Sequence, residues 1–184
     1  IGVVDDAEGP APRPPLTSRV PYAENAWQRD GWKSPYYTAS HHRFRAAVRS
    51  FVRKELWKDA ESGESSGTPP SAETWLKMGK FGLLAARMGP GKHLGLLGSP
   101  LPAGVPPAEF DYFHEMIAHE EMALLGCPSY QDGLGGGMVI GLPPVLVFGA
   151  PELATRVGGE VLRGERQIAL AISEPFAGSD VANI

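Results

Sequence analysis

The apolar residues between positions 41 and 165 recur every three or four residues, which is the spacing of amphipathic α-helices. The first predicted helix runs from about His41 to Lys58, with Ser40 as its expected N-cap. Its apolar stripe consists of Phe44, Ala47, Val48, Phe51, Val52 and Leu56. The basic residues between these positions predict a solvent-facing side: Arg43, Arg45, Arg49, Arg53 and Lys54. The string ESGESSGTPP then predicts a flexible loop.

The same spacing predicts further helices along the chain. One begins at Ser71 and contains Trp75, Leu76, Met78 and Phe81. The next begins near Pro107, since proline is tolerated in a first helical turn, and stops at Gly126. Its stripe consists of Phe110, Phe113, Ile117 and Leu124. The apolar string MVIGLPPVLVF predicts a buried helix entered through Pro143 or Pro144, and residues 150–162 predict one or two short helices.

Two adjacent carboxylates, Glu120 and Glu121, lie in the helix that follows Pro107. Glu120 falls on the apolar stripe, between Ile117 and Leu124. A carboxylate on a buried face needs a partner or must take up a proton. We therefore expect both residues to serve in a buried or interface ion pair rather than in catalysis.

The pattern changes at both ends of the chain. Residues 1–38 are proline-rich and lack apolar periodicity, yet they contain five large aromatic residues, which predicts an extended arm that packs on another surface. At the other end, QIALAISE is the only β-like run. A lone strand is unstable, so we expect the chain to be cut within a sheet domain. The predicted organisation is an arm over 1–38, a helical domain over 39–165 and the start of a β domain over 166–184.

Composition excludes several classes of function. The formal net charge is −4 and the isoelectric point is about 5.7, whereas nucleic-acid binding needs clustered lysine and arginine. No apolar run is long enough to predict a membrane-spanning helix. Cys127 is the single cysteine, so no disulfide can form within the chain.

Other candidate chemistry is weak. Asp111 and His114, and likewise Glu115 and His119, share a helix face, as metal ligands do in ferritin-like bundles. Such bundles need ligands from several helices, and one helix has the pattern, so we predict no metal site. Cys127 has no neighbouring histidine that could activate it. The string GLGGGMV lacks the lysine and the preceding strand of a phosphate-binding loop.

The string ISEPFAGSD resembles the signature of the acyl-CoA dehydrogenase family, a strand followed by T-E-P-x-A-G-S-D. Ser173 stands where threonine is common, and the matching residues are Glu174, Pro175, Ala177, Gly178, Ser179 and Asp180. Four upstream strings are similar to the family's helical domain: HRFRAAVRSFVRKEL, WLKMGKFGLLAARM, YFHEMIAHEEMALLG and FGAPEL. The resemblance implies a mainly α fold, namely the family's N-terminal helical domain followed by the first strand of its middle β domain. The arm resembles the lead-in of fungal members that carry an upstream cytochrome b5-like domain.

Family members bind FAD, and the resemblance implies that the flavin lies against the strand that ends in this motif. The implied cofactor-binding residues are Leu170, Ala171, Ile172, Ser173, Gly178 and Ser179. Ile172 and Ser173 would supply backbone contacts, and Gly178 would permit close approach. Ser179 would bind the FAD pyrophosphate or the substrate's thioester chain. The glycines before the apolar helix would let that helix lie close to the acyl pocket.

The resemblance implies FAD-dependent α,β-dehydrogenation of acyl-CoA thioesters by a homo-oligomer that passes electrons to an electron-transfer flavoprotein. The family's catalytic carboxylate belongs to a C-terminal helical domain, so no catalytic residue is expected here, and this piece alone is expected to be inactive. Two alternatives stay open: a flavin oxidase of the same fold, acting on acyl-CoA or nitroalkanes, and a truncated module that binds without catalysis. The compartment is equally open between mitochondrion, peroxisome and cytoplasm.

Overall fold

The computed structural model describes residues 25–28 and 33–184, which are mainly α-helical, as predicted. The α-helices are α1 (Ala39–Phe51), α2 (Trp57–Ser66), α3 (Ala72–Phe81), α4 (Leu83–Ala86), α5 (Tyr112–Ala123), α6 (Pro128–Gly133), α7 (Gly136–Phe148) and α8 (Pro151–Leu162). Short 3₁₀ turns occur at Ala26–Gln28, Lys92–Leu96, Pro102–Gly104 and Val181–Asn183. Much of the predicted arm, residues 1–24 and 29–32, lies outside the described residues.

The first helix is longer than the sequence predicts. α1 continues through a π-helical turn, Val52–Leu56, into α2, which ends where Gly67 adopts a φ of 70°. The loop prediction for residues 61–66 was therefore wrong. α2 buries Ala60 and packs against α6, and this tertiary contact outweighs the weak helix propensity of its glycine and serines. The N-cap prediction was also wrong, because Thr38 occupies that position and Ser40 is buried inside α1.

α5 begins later than the proline signal predicts. Asp111 is its N-cap, and its Oδ1 accepts hydrogen bonds from the N–H groups of Phe113 (3.0 Å) and His114 (3.1 Å). The Asp111 carboxylate accepts hydrogen bonds from N–H groups of the first helical turn, whereas proline has no side-chain acceptor. Asp111 therefore determines where the helix begins. Leu124 was predicted to be buried but is 42% exposed.

A buried ion cluster joins α1 to α5. Glu121 is 1% exposed, and its carboxylate accepts hydrogen bonds from Arg45 Nε at 3.1 Å and from Arg49 Nε at 2.6 Å. Arg49 Nη2 adds a third hydrogen bond at 2.9 Å. The expected ion pair is confirmed for Glu121. The solvent-facing prediction was wrong for these two arginines, because α5 packs on the side of α1 from which they project.

The described part of the arm packs on α1 and α5. Trp27 stacks on Tyr37 with ring centroids 3.9 Å apart. Asn25 and Gln28 donate hydrogen bonds to Glu120, at 2.7 Å and 3.5 Å. Glu120 is half-buried and binds the arm, and burial raises its pKa. These contacts confirm that the aromatic residues near α1 are not part of a freely solvated linker.

The hydrophobic core lies where α1, α3, α4, α5 and α7 meet. Its largest fully buried side chains are Phe44, Leu56, Met78, Leu83, Leu84, Leu97, Ile117, Met122, Leu134, Met138, Leu142 and Leu162. α7 starts at Gly136 and contains both Pro143 and Pro144, so the predicted entry through a proline was wrong. Met138 and Leu142 are buried and hold the N-terminal half of α7 against the core.

The predicted strand does not form within the described residues. Residues 167–173 are extended but belong to no β-ladder, and the sole bridge in the described part of the chain joins Glu174 to Ala177. A strand needs a neighbour that accepts and donates backbone hydrogen bonds, and no described residue provides one. Among the described helices, none is long and apolar enough to cross a membrane.

Candidate functional site

The segment Gln167–Asp180 is largely exposed and holds every candidate site residue predicted from the motif. Leu170 is 37% exposed and Ile172 is 47% exposed. The N–H groups of residues 168–173 have no backbone acceptor among the described residues. The segment therefore presents a row of unpaired donors beside apolar side chains, which is what an aromatic ring system with polar edges can bind.

A tight turn follows this extended segment. The N–H of Glu174 donates to the carbonyl of Ala177 at 2.7 Å, and the N–H of Ala177 donates back to the carbonyl of Glu174 at 3.3 Å. The turn brings Gly178 back to Ser173, so that a Cβ on Gly178 would lie 3.7 Å from Ser173 Oγ. Two of the predicted cofactor-binding residues, five positions apart in sequence, are thus neighbours. The carboxylate of Glu174 is exposed, and backbone hydrogen bonds hold the turn.

Two glycines of α7 lie against the extended segment. A Cβ on Gly137 would lie only 1.9 Å from the carbonyl oxygen of Ile168, so any side chain there would displace the backbone. One turn later, a Cβ on Gly141 would lie 3.7 Å from the carbonyl oxygen of Ala169, which is ordinary contact. The glycines before the apolar helix were predicted to let that helix lie close to the acyl pocket, and this stays a prediction. The structure places Gly137 against the backbone of Ile168 and Ala169.

A groove of about 720 Å³ lies elsewhere, between α7, α8 and the turn around His93. Its walls are mostly apolar, including Met88, Leu96 and Leu146, and Lys92 is at its edge. None of the residues from Gln167 to Asp180 lines it. The groove is therefore separate from the candidate cofactor site.

Three possible metal ligands meet at the junction of α1 and α5: His41, Asp111 and His114. The Asp111 carboxylate accepts a hydrogen bond from His41 Nε2 at 3.0 Å, and its Oδ1 lies 2.9 Å from His114 Nδ1. His41 Nδ1 accepts a hydrogen bond from the backbone N–H of Thr38 at 2.9 Å, so the proton of neutral His41 must lie on Nε2. A metal ligand needs a lone pair on the nitrogen that faces the ion. Hydrogen bonding therefore accounts for this cluster without a metal.

Sequence reasoning missed the cluster because His41 and Asp111 are 70 residues apart. The two imidazole rings stack with centroids 4.0 Å apart, and His114 is 1% exposed. Protonation of His114 would place a positive charge in the core, in contact with the ring of His41. This geometry makes the junction between α1 and α5 sensitive to acid.

We expect the folded chain to lose stability as the pH falls through the range in which histidine takes up a proton. Burial lowers the pKa of His114 below its ordinary 6.5, despite the opposing hydrogen bond from Asp111. The unfolded chain then binds the proton more readily, so the stability is fully present above pH 6.5 and is lost as the pH falls toward the lower folded pKa. Chemical denaturation at a series of pH values measures this slope.

At lower pH, Asp111 adds a second loss of stability. Burial favours its neutral form, but hydrogen bonds from His41 and His114 outweigh burial and hold the pKa of Asp111 below its ordinary 3.8. The stability from this carboxylate is lost as the pH falls below that value. The variant His114→Asn keeps a donor for Asp111 but cannot titrate, so its stability should depend less on pH in the histidine range. An unchanged slope in this variant would contradict the assignment to His114.

The chain is similar in sequence to known proteins, although no family model matches it. Acyl-CoA dehydrogenase apdG of Emericella nidulans is 37% identical over 170 residues, which cover 91% of this chain and 38% of that protein. Acyl-CoA dehydrogenase AFT10-1 of Alternaria alternata is 32% identical over 170 residues, with the same coverage of 91% and 38%. This chain belongs to the acyl-CoA dehydrogenase family.

Membership of the acyl-CoA dehydrogenase family agrees with the mainly helical fold. The chain spans 38% of the length of the two fungal acyl-CoA dehydrogenases. The subunit CarC of a caffeyl-CoA reductase–Etf complex of Acetobacterium woodii is also similar, with 28% identity over 155 residues, 81% of this chain and 36% of that protein. Family members generally use FAD, and the unpaired donors and exposed apolar side chains of residues 168–173 fit a flavin ring.

Proposed function

We propose that this chain forms part of an FAD-dependent oxidoreductase that removes hydrogen from the α and β carbons of acyl-CoA thioesters. The observation that carries this proposal is the motif from Ser173 to Asp180, with its turn closed onto Ser173 and its preceding backbone free to bind a ring. Family membership supports it, since the fungal relatives are named acyl-CoA dehydrogenases.

In this proposal, the chain's own residues bind and orient the cofactor. The N–H groups of Ile172 and Ser173 would donate hydrogen bonds to the flavin, with the Ser173 hydroxyl adding a further donor. Such donors stabilise the negative charge of the reduced ring, as an oxyanion hole stabilises its anion. Gly178 leaves room beside Ser173, and Ser179 contacts the pyrophosphate or the thioester chain. The flavin would supply hydride acceptance, and the proposal assigns removal of the α proton to none of the described residues.

The test of the proposed function uses the full-length protein. It should purify with visible flavin absorbance, and the bound flavin should be bleached anaerobically by an acyl-CoA thioester. The 184-residue chain alone should bind little flavin, because the segment Gln167–Asp180 supplies few contacts to it. A full-length protein that is colourless and does not bind added FAD would disprove the proposal.

The Ser173 hydroxyl should contribute measurably to FAD retention in the full-length protein. Ser173→Ala removes one hydrogen-bond donor, which is worth about 1 kcal/mol, so FAD binding should weaken roughly fivefold. Ser173→Thr is the matched control, because threonine keeps the hydroxyl. Flavin content after dialysis and titration with FAD measure the difference. Equal weakening in both variants would point to packing rather than to the hydroxyl.

We further propose an electron-transfer flavoprotein as the electron acceptor and a homo-oligomer as the working assembly. CarC is named as a subunit of an Etf complex, which supports this class of acceptor. An oxidase of the same fold would instead consume oxygen directly. Turnover with electron-transfer flavoprotein but without oxygen uptake is the expected result, and rapid oxygen uptake without any other acceptor would favour the oxidase.

A further inference from the structure

The groove between α7, α8 and the turn around His93 has a closed floor. Its volume of about 720 Å³ lies within the range of small-molecule sites, about 300–1,000 Å³. At the floor, a Cβ on Gly158 of α8 would lie 2.7 Å from Leu146 Cδ2 and 3.0 Å from Leu96 Cδ1. Arg163 holds the turn in place, because its Nη1 donates a hydrogen bond to the carbonyl of Leu96 at 3.2 Å. Helix packing therefore fixes the shape of this groove.

The walls of the groove are aliphatic. The larger apolar residues that line it are Met88, Pro90, Leu96, Pro143, Leu146 and Val147. Among the described residues that line it, none is acidic, and none has an aromatic ring apart from the imidazole of His93. A flat aromatic ligand prefers rings on which it can stack, whereas a hydrocarbon chain needs only apolar walls. The lining therefore favours an aliphatic chain as the ligand.

Lys92 supplies the positive charge at the edge of the groove. Its side chain is exposed and forms no hydrogen bond or salt bridge with another described residue. Burial lowers the pKa of His93 below its ordinary 6.5, although a hydrogen bond with the backbone of Gly89 opposes this shift. The imidazole is therefore mostly neutral at pH 7. The groove thus combines apolar walls with one cation, and its charge complements a ligand with one negative group.

We propose that this groove binds a free long-chain fatty acid, with the hydrocarbon chain against Leu96 and Leu146 and the carboxylate at Lys92. The single ammonium group matches one carboxylate. An acyl-CoA would instead bring several phosphate charges to the same lysine. No residue from Gln167 to Asp180 lines the groove, so this site is separate from the one in which the proposed function acts on a thioester. The inference does not depend on that function.

The test titrates the full-length protein with saturated fatty acids of increasing length, below the concentrations at which they form micelles. Affinity should rise about fourfold for each added CH₂ group until the groove is full and should then level off, because each buried CH₂ contributes about 0.8 kcal/mol. The alcohols of the same lengths are titrated in parallel, since they carry the chain without the charge. Displacement of a fluorescent fatty acid measures every affinity on one scale.

Two variants separate the apolar and charged parts of the site. Ala154→Phe places a ring in the groove, where it takes the space of several CH₂ groups, and should weaken the binding of acids and alcohols about tenfold or more. Lys92→Gln should weaken the acids about two- to fivefold, the range of an exposed ion pair, and leave the alcohols unchanged. The matched control is Lys58→Gln, since Lys58 is an exposed lysine of α2 outside the groove and should affect neither series.

Unchanged affinity for the acids in Ala154→Phe would overturn the inference, and so would equal responses of acids and alcohols to Lys92→Gln. It is equally overturned if the full-length protein binds no fatty acid, because another part of the protein would then fill the groove. Full competition between the acid and an acyl-CoA thioester would assign the acid to the thioester site instead. Flavin content and turnover should stay unchanged in Ala154→Phe and Lys92→Gln. They report on the proposed function alone, so the two failures are distinguishable.

Discussion

Replacement of Glu121 with glutamine should destabilise the fold by about 3–5 kcal/mol, the cost of removing one partner from a buried ion pair. Glu121 is 1% exposed and bonds both Arg45 and Arg49, whose side chains are 13% and 12% exposed. Without the carboxylate, two guanidinium groups would remain close together and poorly hydrated between α1 and α5. Urea denaturation of the variant and of the unmodified chain, followed by circular dichroism, measures the loss.

The adjacent residue provides the control for this prediction. Glu120 is half-buried and accepts hydrogen bonds from Asn25 and Gln28 of the arm. Glu120→Gln should therefore cost no more than about 1 kcal/mol, since an amide oxygen still accepts these hydrogen bonds. If the two variants lose similar stability, the ion cluster between α1 and α5 does not hold the fold as described.

A methyl group at Gly137 should displace the candidate cofactor segment from α7. Its Cβ would lie 1.9 Å from the carbonyl oxygen of Ile168, 2.9 Å from the carbonyl carbon and 3.2 Å from Cα of Ala169, all of them backbone atoms that no side-chain rotation can move away. We expect Gly137→Ala to destabilise the fold by about 1–3 kcal/mol, the usual cost of overpacking. In the full-length protein, the same change should cause most of the bound flavin to be lost during purification.

Gly141→Ala is the matched control, because Gly141 faces the same segment one helical turn later. The nearest atom to its Cβ would be the carbonyl oxygen of Ala169 at 3.7 Å, so the methyl group fits. Alanine also favours a helix by up to about 1 kcal/mol over glycine, so this variant should be as stable as the unmodified chain or more so. Full flavin content in Gly137→Ala would show that the contact between α7 and residues 168–169 does not position the cofactor site.

Several helices could be predicted from the sequence because the residues that determine them are close together in the chain. The stripe of Phe44, Val48, Val52 and Leu56 is buried as its spacing predicts. Ser71 caps α3 through a hydrogen bond from the N–H of Thr74 at 3.1 Å, which needs only residues within one turn. The motif from Ser173 to Asp180 could likewise be recognised from adjacent residues.

Some other predictions failed where distant residues determine the outcome. Glu120 and Glu121 are neighbours, and periodicity placed the wrong one in the core, because the position of α1 decides which face of α5 is covered. The helix continues through residues 61–66 because α2 packs against α6. Helix propensity depends only on neighbouring residues and so does not reflect this contact. The segment from Gln167 to Ser173 has strand-like composition, but a strand forms only when another chain segment pairs with it.

The amino-acid order alone therefore sufficed for the helical class, for most of the apolar faces and for the family motif, since each depends on residues within a few positions of one another. Folding in three dimensions was needed to pair Glu121 with Arg45 and Arg49, to gather His41 with Asp111 and His114, and to bring Gly137 against Ile168. These features join residues that are distant in sequence, and the packing of helices determines which of them meet.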